Sequence, residues 1–206
     1  MDNKSAEKTR LIACGMLARE VLDLIDLNGW DHIDLKCLPA ELHYHPDRIP
    51  AAVEKAVVDA RAEAFNNIII GYADCGTGGL LDATCKRLGV ERLAGPHCFA
   101  FYWGLDDFAR NEDENISTFF ITDFLARHPE TFFTKPLGLD RHPELTEVYF
   151  ANYTRALYLA QTDDPELTQA AKQIASMLGL AFERKMVGYG DLGDQINNLL
   201  PAQNRM

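Results

Sequence analysis

The stretch Asn67 to Asp82, NIIIGYADCGTGGLLD, constrains the chain more than any other. Its run Ile68-Ile69-Ile70 is apolar and β-branched, the pattern of a strand buried on both faces of a parallel sheet. The run passes through Gly71-Tyr72-Ala73-Asp74 into Cys75 and Gly76-Thr77-Gly78-Gly79, and Leu80-Leu81 opens a helical pattern. Strand, glycine-rich turn and helix in that order make a β–α unit, with an acid and a thiol at its hinge. Backbone N–H groups in such a turn can cradle an anion or stabilise a thiolate. The turn lacks both the Lys-Ser/Thr ending of a Walker loop and the GxGxxG of a dinucleotide fold, so no phosphate fingerprint supports the cradle.

The remaining chain repeats the alternation. Arg10 to Ala13 reads as a first strand ending at Cys14-Gly15, after a lead-in over residues 1–9 that reads as disordered. Met16 to Leu27 is an amphipathic helix with Leu17, Val21, Leu24 and Ile25 on one face, stopped by Asn28-Gly29. His32 to Leu38 alternates as a second strand, followed by a polar loop holding His43 and His45. Pro50 opens a helix to Phe65, Leu80 to Leu88 is helical, and Val90 to Ala94 is a short fourth strand. An aromatic run, FAFYWG, and an acidic loop over 106–115 come next. Helices are read from Thr122 to Phe133 and from Pro143 to Tyr153. A fifth strand at Arg155–Gln161, a helix opened by Asp163-Asp164-Pro165-Glu166, a sixth strand at Ala181–Val187 and a last helix at Leu192–Leu199 complete the pattern. The expected fold is a single α/β domain over residues 1–206. It is a three-layer sandwich with a mostly parallel sheet of about five to six strands and helices on both faces. A helical insertion over 105–153 precedes the fifth strand.

Composition excludes several classes. A formal net charge of −11 argues against nucleic acid or an anionic membrane surface, which call for basic patches. No apolar stretch approaches the roughly 20 residues of a membrane span, and MDNKSAEKTR offers no export signal. Five cysteines, an odd number with no CxxC pair, fit a reduced, cytoplasmic protein whose thiols serve as core, ligands or nucleophiles.

In open parallel sheets ligands bind at the carboxyl ends of the strands. Strand one ends at Cys14, strand two leads to His43, strand three ends at Asp74-Cys75 and strand four at His97-Cys98. Cys37 and Cys85 fall inside elements and are not expected to join them. Cys14, Cys75 and Cys98 are thus candidate metal ligands for zinc, or alternatively for an iron–sulfur cluster. His43, Asp74 and His97 are candidate acid/base groups, and Tyr72 with Gly76, Thr77, Gly78 and Gly79 a candidate ligand-binding turn. Each cysteine alone is as readily explained as core, and Asp74 as a turn cap.

The blocks AREVL after ACG, LPAELH, GYADCGTGG, ERLAGPHC, TDFL and LGLDRHPEL resemble, together and over nearly the whole chain, the domain-of-unknown-function family 1638. Cys14, His43, Cys75, His97 and Cys98 fall on that pattern. The resemblance implies an association with corrinoid-dependent methyl-transfer systems, and with it a corrinoid or methyltransferase protein as partner. Three functions are consistent with the residues: a Cys/His metal protein acting on a small-molecule substrate in one-carbon metabolism, a metal-free enzyme using paired thiols as some racemases do, and a non-enzymatic partner of a corrinoid protein.

Overall fold

The computed structural model describes residues 7–205; the expected lead-in falls partly on residues 1–6, outside the described residues, while Thr9 already belongs to the first strand. In chain order the elements are β1 (Thr9–Cys14), α1 (Ala18–Asn28), β2 (Ile33–Leu38), α2 (Ile49–Ala62), β3 (Asn67–Gly71), α3 (Leu80–Leu88), β4 (Glu91–Arg92), α4 (Cys98–Trp103), α5 (Leu105–Arg110), α6 (Glu112–Asn115), β5 (Thr118–Thr122), α7 (Asp123–Arg127), α8 (Leu145–Tyr149), β6 (Arg155–Ala160), α9 (Pro165–Met177), β7 (Ala181–Met186) and α10 (Leu192–Leu199). The fold is α/β with parallel strands throughout, but in two sheets, β2-β1-β3-β4 and β5-β6-β7, rather than one. Phe99–Gly190 forms one compact unit and the rest of the described chain the other. Among the described residues no helix is long and apolar enough to cross a membrane.

In the first unit the order β2-β1-β3-β4 follows from right-handed crossovers in two directions. The chain leaves β1 toward β2, returns across β1 to β3, and continues outward to β4. This winding puts α2 and α3 on one face and α1 on the other, with α10 against α1: Gly193 lies beside the Leu24 side chain. On α2, Ile49, Val53, Ala56, Val57 and Ala60 repeat at helical spacing and are buried against Ile12, Ile68, Ile70 and Leu81. Each such large side chain contributes about 1.5–3 kcal/mol on burial. The carboxyl ends of β1 and β3 flank the point where the winding reverses.

Those two strands meet closely there. Ala13 is the register partner of Gly71, and a Cβ on Gly71 would stand 2.8 Å from the Ala13 Cβ. Glycine at 71 is therefore a packing requirement, and its φ is not in the left-handed region.

In the second unit the helical insertion expected over 105–153 also contains a strand. Thr118-Phe119-Phe120-Ile121-Thr122 is a buried strand, and it extends β6 by a full parallel ladder. Its aromatic and β-branched residues favour the pleated surface. The acidic stretch expected as loop folds instead as the short helices α5 and α6. Thr122 caps α7 by accepting from the Leu125 N–H. Asp123, fully buried, accepts the Tyr158 hydroxyl at 2.6 Å, the Thr162 hydroxyl at 2.6 Å and the N–H groups of Gln161 and Thr162 at 3.0 Å. The TDFL block is thus a polar tie between the carboxyl ends of β5 and β6. Asp164 caps α9 and Pro165 occupies its first turn, as the sequence indicates.

Gly71→Ala should lower unfolding stability by about 1–3 kcal/mol through overpacking against Ala13, measured by urea denaturation. An unchanged midpoint would show that β1 and β3 separate at no cost.

Candidate functional site

The switch point brings together part of the expected constellation. Cys14 closes β1 and Cys75 lies four residues beyond β3. Tyr72, 1% exposed, is buried beside them: its hydroxyl faces the Cys14 thiol, and Cys75 lies near enough to raise the proton affinity of Tyr72. That hydroxyl is buried and meets no partner in good hydrogen-bond geometry. Burial raises the Cys14 thiol above its ordinary range. Burial, with Cys14 second, pushes the Cys75 thiol up to about 12. Tyr72 is raised by burial and then by Cys14. At neutral pH the three groups are uncharged.

Cys37, not expected here, joins this neighbourhood and raises both Cys14 and Tyr72. The signal is the parallel ladder itself: Cys37 is the register partner of Ala13, one residue before the end of β1. Strand ends that align in sequence bring their neighbours to the same edge, even when a residue lies inside its strand.

The glycine turn has a different job from the one its composition suggests. The Asp74 carboxylate accepts the Thr77 hydroxyl at 2.7 Å, the Gly79 N–H at 2.9 Å and the Gly78 N–H at 3.2 Å. Burial opposes its ionisation, but bonds from Gly79, Thr77 and Gly78 outweigh this and hold Asp74 below the usual carboxylate range. The amides that a ligand or thiolate would need at Gly78 and Gly79 are directed at Asp74, so the cap reading of Asp74 describes its geometry. The turn imposes left-handed φ on Gly76, Gly78, Gly79 and also on Cys75, at 50°. For a residue with a Cβ this conformation costs about 1–2 kcal/mol. The Cys75 N–H donates to the Pro96 carbonyl at 2.8 Å and the Asp74 N–H to the Gly95 carbonyl at 3.1 Å, which fixes the bend. Arg92 anchors that same loop by donating to the Gly95 and Leu93 carbonyls while bidentate on Asp82.

The histidines frame this turn. His43 sits in a 3-10 segment, Ala40–Tyr44, and His97 in the loop before α4. A Cβ on Gly76 would stand 3.5 Å from the Pro46 ring, so the segment after His43 packs on the Cys75 turn. Burial lowers both imidazoles, and His43 lowers His97 further. Both are neutral at pH 7. Cys98 opens α4. Among the described residues no three His, Cys, Asp or Glu side chains are grouped to hold a metal ion, so the three-cysteine centre expected of Cys14, Cys75 and Cys98 is not assembled. Two thiols fall short of the three or four protein ligands of zinc sites.

The family model described as a protein of unknown function, DUF1638, matches residues 37–196. The chain belongs to this family. His43, Cys75, His97 and Cys98 lie within the DUF1638 match, whereas Cys14 precedes it. No curated protein and no solved structure matches the chain.

Alkylation of Cys75 by iodoacetamide should accelerate about tenfold per pH unit from pH 8 to 11, because the thiolate fraction rises that way below a value of about 12. A plateau by pH 9 would contradict the buried neutral thiol. Since the folded chain holds this proton more tightly than the unfolded one, stability should fall as pH rises from about 8.5 toward about 12. Asp74→Ala should cost about 1–3 kcal/mol by stranding the turn amides. It should also speed Cys75 labelling at fixed pH, read by peptide mass spectrometry.

Proposed function

We propose that the protein is a thiol enzyme in which Cys14 and Cys75 work as a pair, transferring a proton at a carbon of a small-molecule substrate. One observation carries this reading: two cysteines at and beyond the ends of adjacent strands lie near a buried Tyr72 hydroxyl that faces the Cys14 thiol, at the winding reversal of a parallel sheet, the place where such sheets bind ligands. A thiol with raised proton affinity gives a strongly basic thiolate once deprotonated. In the reaction, Cys75 acts as its thiolate, having given its proton to solvent. The Cys75 thiolate removes the substrate C–H proton, leaving the bonding pair on carbon. The Cys14 thiol returns a proton to that carbon, and a solvent proton restores the resting Cys14 thiol. No atom is gained or lost, and the product is an isomer or the exchanged substrate.

The left-handed backbone at Cys75 supports the same reading, since strain of this kind persists where the surroundings hold a group in place for use. In this reading Tyr72, whose hydroxyl faces Cys14, donates to the oxygen on which carbanion charge delocalises.

The test is solvent exchange. Protein in D2O incubated with chiral 2-amino, 2-hydroxy and 2-methyl carbonyl compounds should incorporate deuterium at the acidic carbon of one class, followed by proton NMR. Cys14→Ser and Cys75→Ser should each lower that rate at least about 100-fold, with circular dichroism unchanged. Exchange that survives either substitution, or none with any class, would overturn the pairing.

A further inference from the structure

A second site lies at the opposite, amino-terminal edge of the same sheet. A cleft of about 590 Å³ opens there beside the start of β3, within the size range of small-molecule sites. Arg61 and Arg205 line it. Each spends one guanidinium N–H on a carbonyl near the end of a helix, Arg61 on Leu88 of α3 and Arg205 on Leu200 just past α10. Most of their donors remain. Most arginines of this acidic chain are ion-paired, but Arg61 and Arg205 are in no ion pair among the described residues.

The plainest account makes both arginines helix caps, because cations at helix C-termini offset the local dipole. That account leaves one buried polar atom of the cleft wall unexplained. The Asn67 amide nitrogen, in the cleft wall, is buried with no hydrogen-bond partner. An orphaned buried donor is costly unless something polar meets it.

The charge pattern decides what that is. The ends of α2, α3 and α10 all reach the cleft, and their last carbonyls carry partial negative charge. Glu91 adds a full one in the wall. A simple anion is opposed by the helix ends and Glu91, and a simple cation by the two guanidiniums. A molecule carrying both charges satisfies both sets. We propose that this cleft binds a free amino acid as its zwitterion. The carboxylate is held by the Arg61 and Arg205 forks, the ammonium lies toward Glu91 and the helix-end carbonyls, and the side chain packs on Val90 and Leu199. The site stands independently of the paired thiols.

Isothermal titration of the full chain with protein amino acids, singly, tests this. At least one should bind at a single site with Kd below about 1 mM. Its N-acetyl derivative and its amide, each lacking one charge, should bind at least about tenfold more weakly. The double variant Arg61→Gln/Arg205→Gln should lose at least about tenfold while the double variant Arg19→Gln/Arg48→Gln, changing arginines outside the cleft, should not. Failure of every amino acid to bind, indifference to either lost charge, or equal loss in the two double variants would each overturn the proposal. Labelling of Cys75 should be the same in all these proteins, so the outcome leaves the thiol reading untouched.

Discussion

The Asp74 carboxylate is the constraint on which the site depends. It sits where β3 has ended and α3 has not begun, and it gathers the Thr77 hydroxyl and the Gly78 and Gly79 amides into one turn. With those bonds made, the chain has little choice about Cys75: the residue is held in the left-handed region, its N–H fixed on Pro96. Charge-assisted bonds to a carboxylate contribute about 1.5–3 kcal/mol each, enough to offset the backbone strain several times over. An acid in the turn therefore explains a strained thiol beside it.

The second constraint is the winding of the sheet. Because β1 and β3 lead the chain away in opposite directions, their carboxyl ends have no crossover lying over them. The close approach at Ala13 and Gly71 then brings Cys14 and Tyr72 to the same edge. Burial does the rest. It keeps both thiols and both imidazoles uncharged at rest.

Much of this was legible in the chain. Ile68-Ile69-Ile70 followed by glycines specifies a buried parallel strand and a turn, and Asp164-Pro165 specifies a helix start; both stand as read. The strand-end rule also pointed to Cys14 and Cys75, which lie near one another at and beyond the ends of β1 and β3. Other features needed three dimensions. Phe119 to Thr122 has no period that separates a short buried strand from a helix, and only pairing with β6 settles it. Splitting into two sheets is a matter of long-range pairing, invisible in local pattern. The turn amides stayed open between a nest and a cap for Asp74, because composition shows that N–H groups are available but not what they bond. Asp74 is nearer than any ligand. Cys37 was missed because a residue inside a strand was treated as remote from the strand end.

The central claim is that Cys14 and Cys75 act together, and capture by phenylarsine oxide measures it most directly. This reagent condenses with two thiols, forming two arsenic–sulfur bonds and releasing water, and holds poorly to one. Intact-mass analysis should show one phenylarsine adduct per chain, lost in both Cys14→Ser and Cys75→Ser and retained in Cys37→Ser. An adduct that survives either of the first two substitutions, or that disappears only with Cys37, would contradict the pairing.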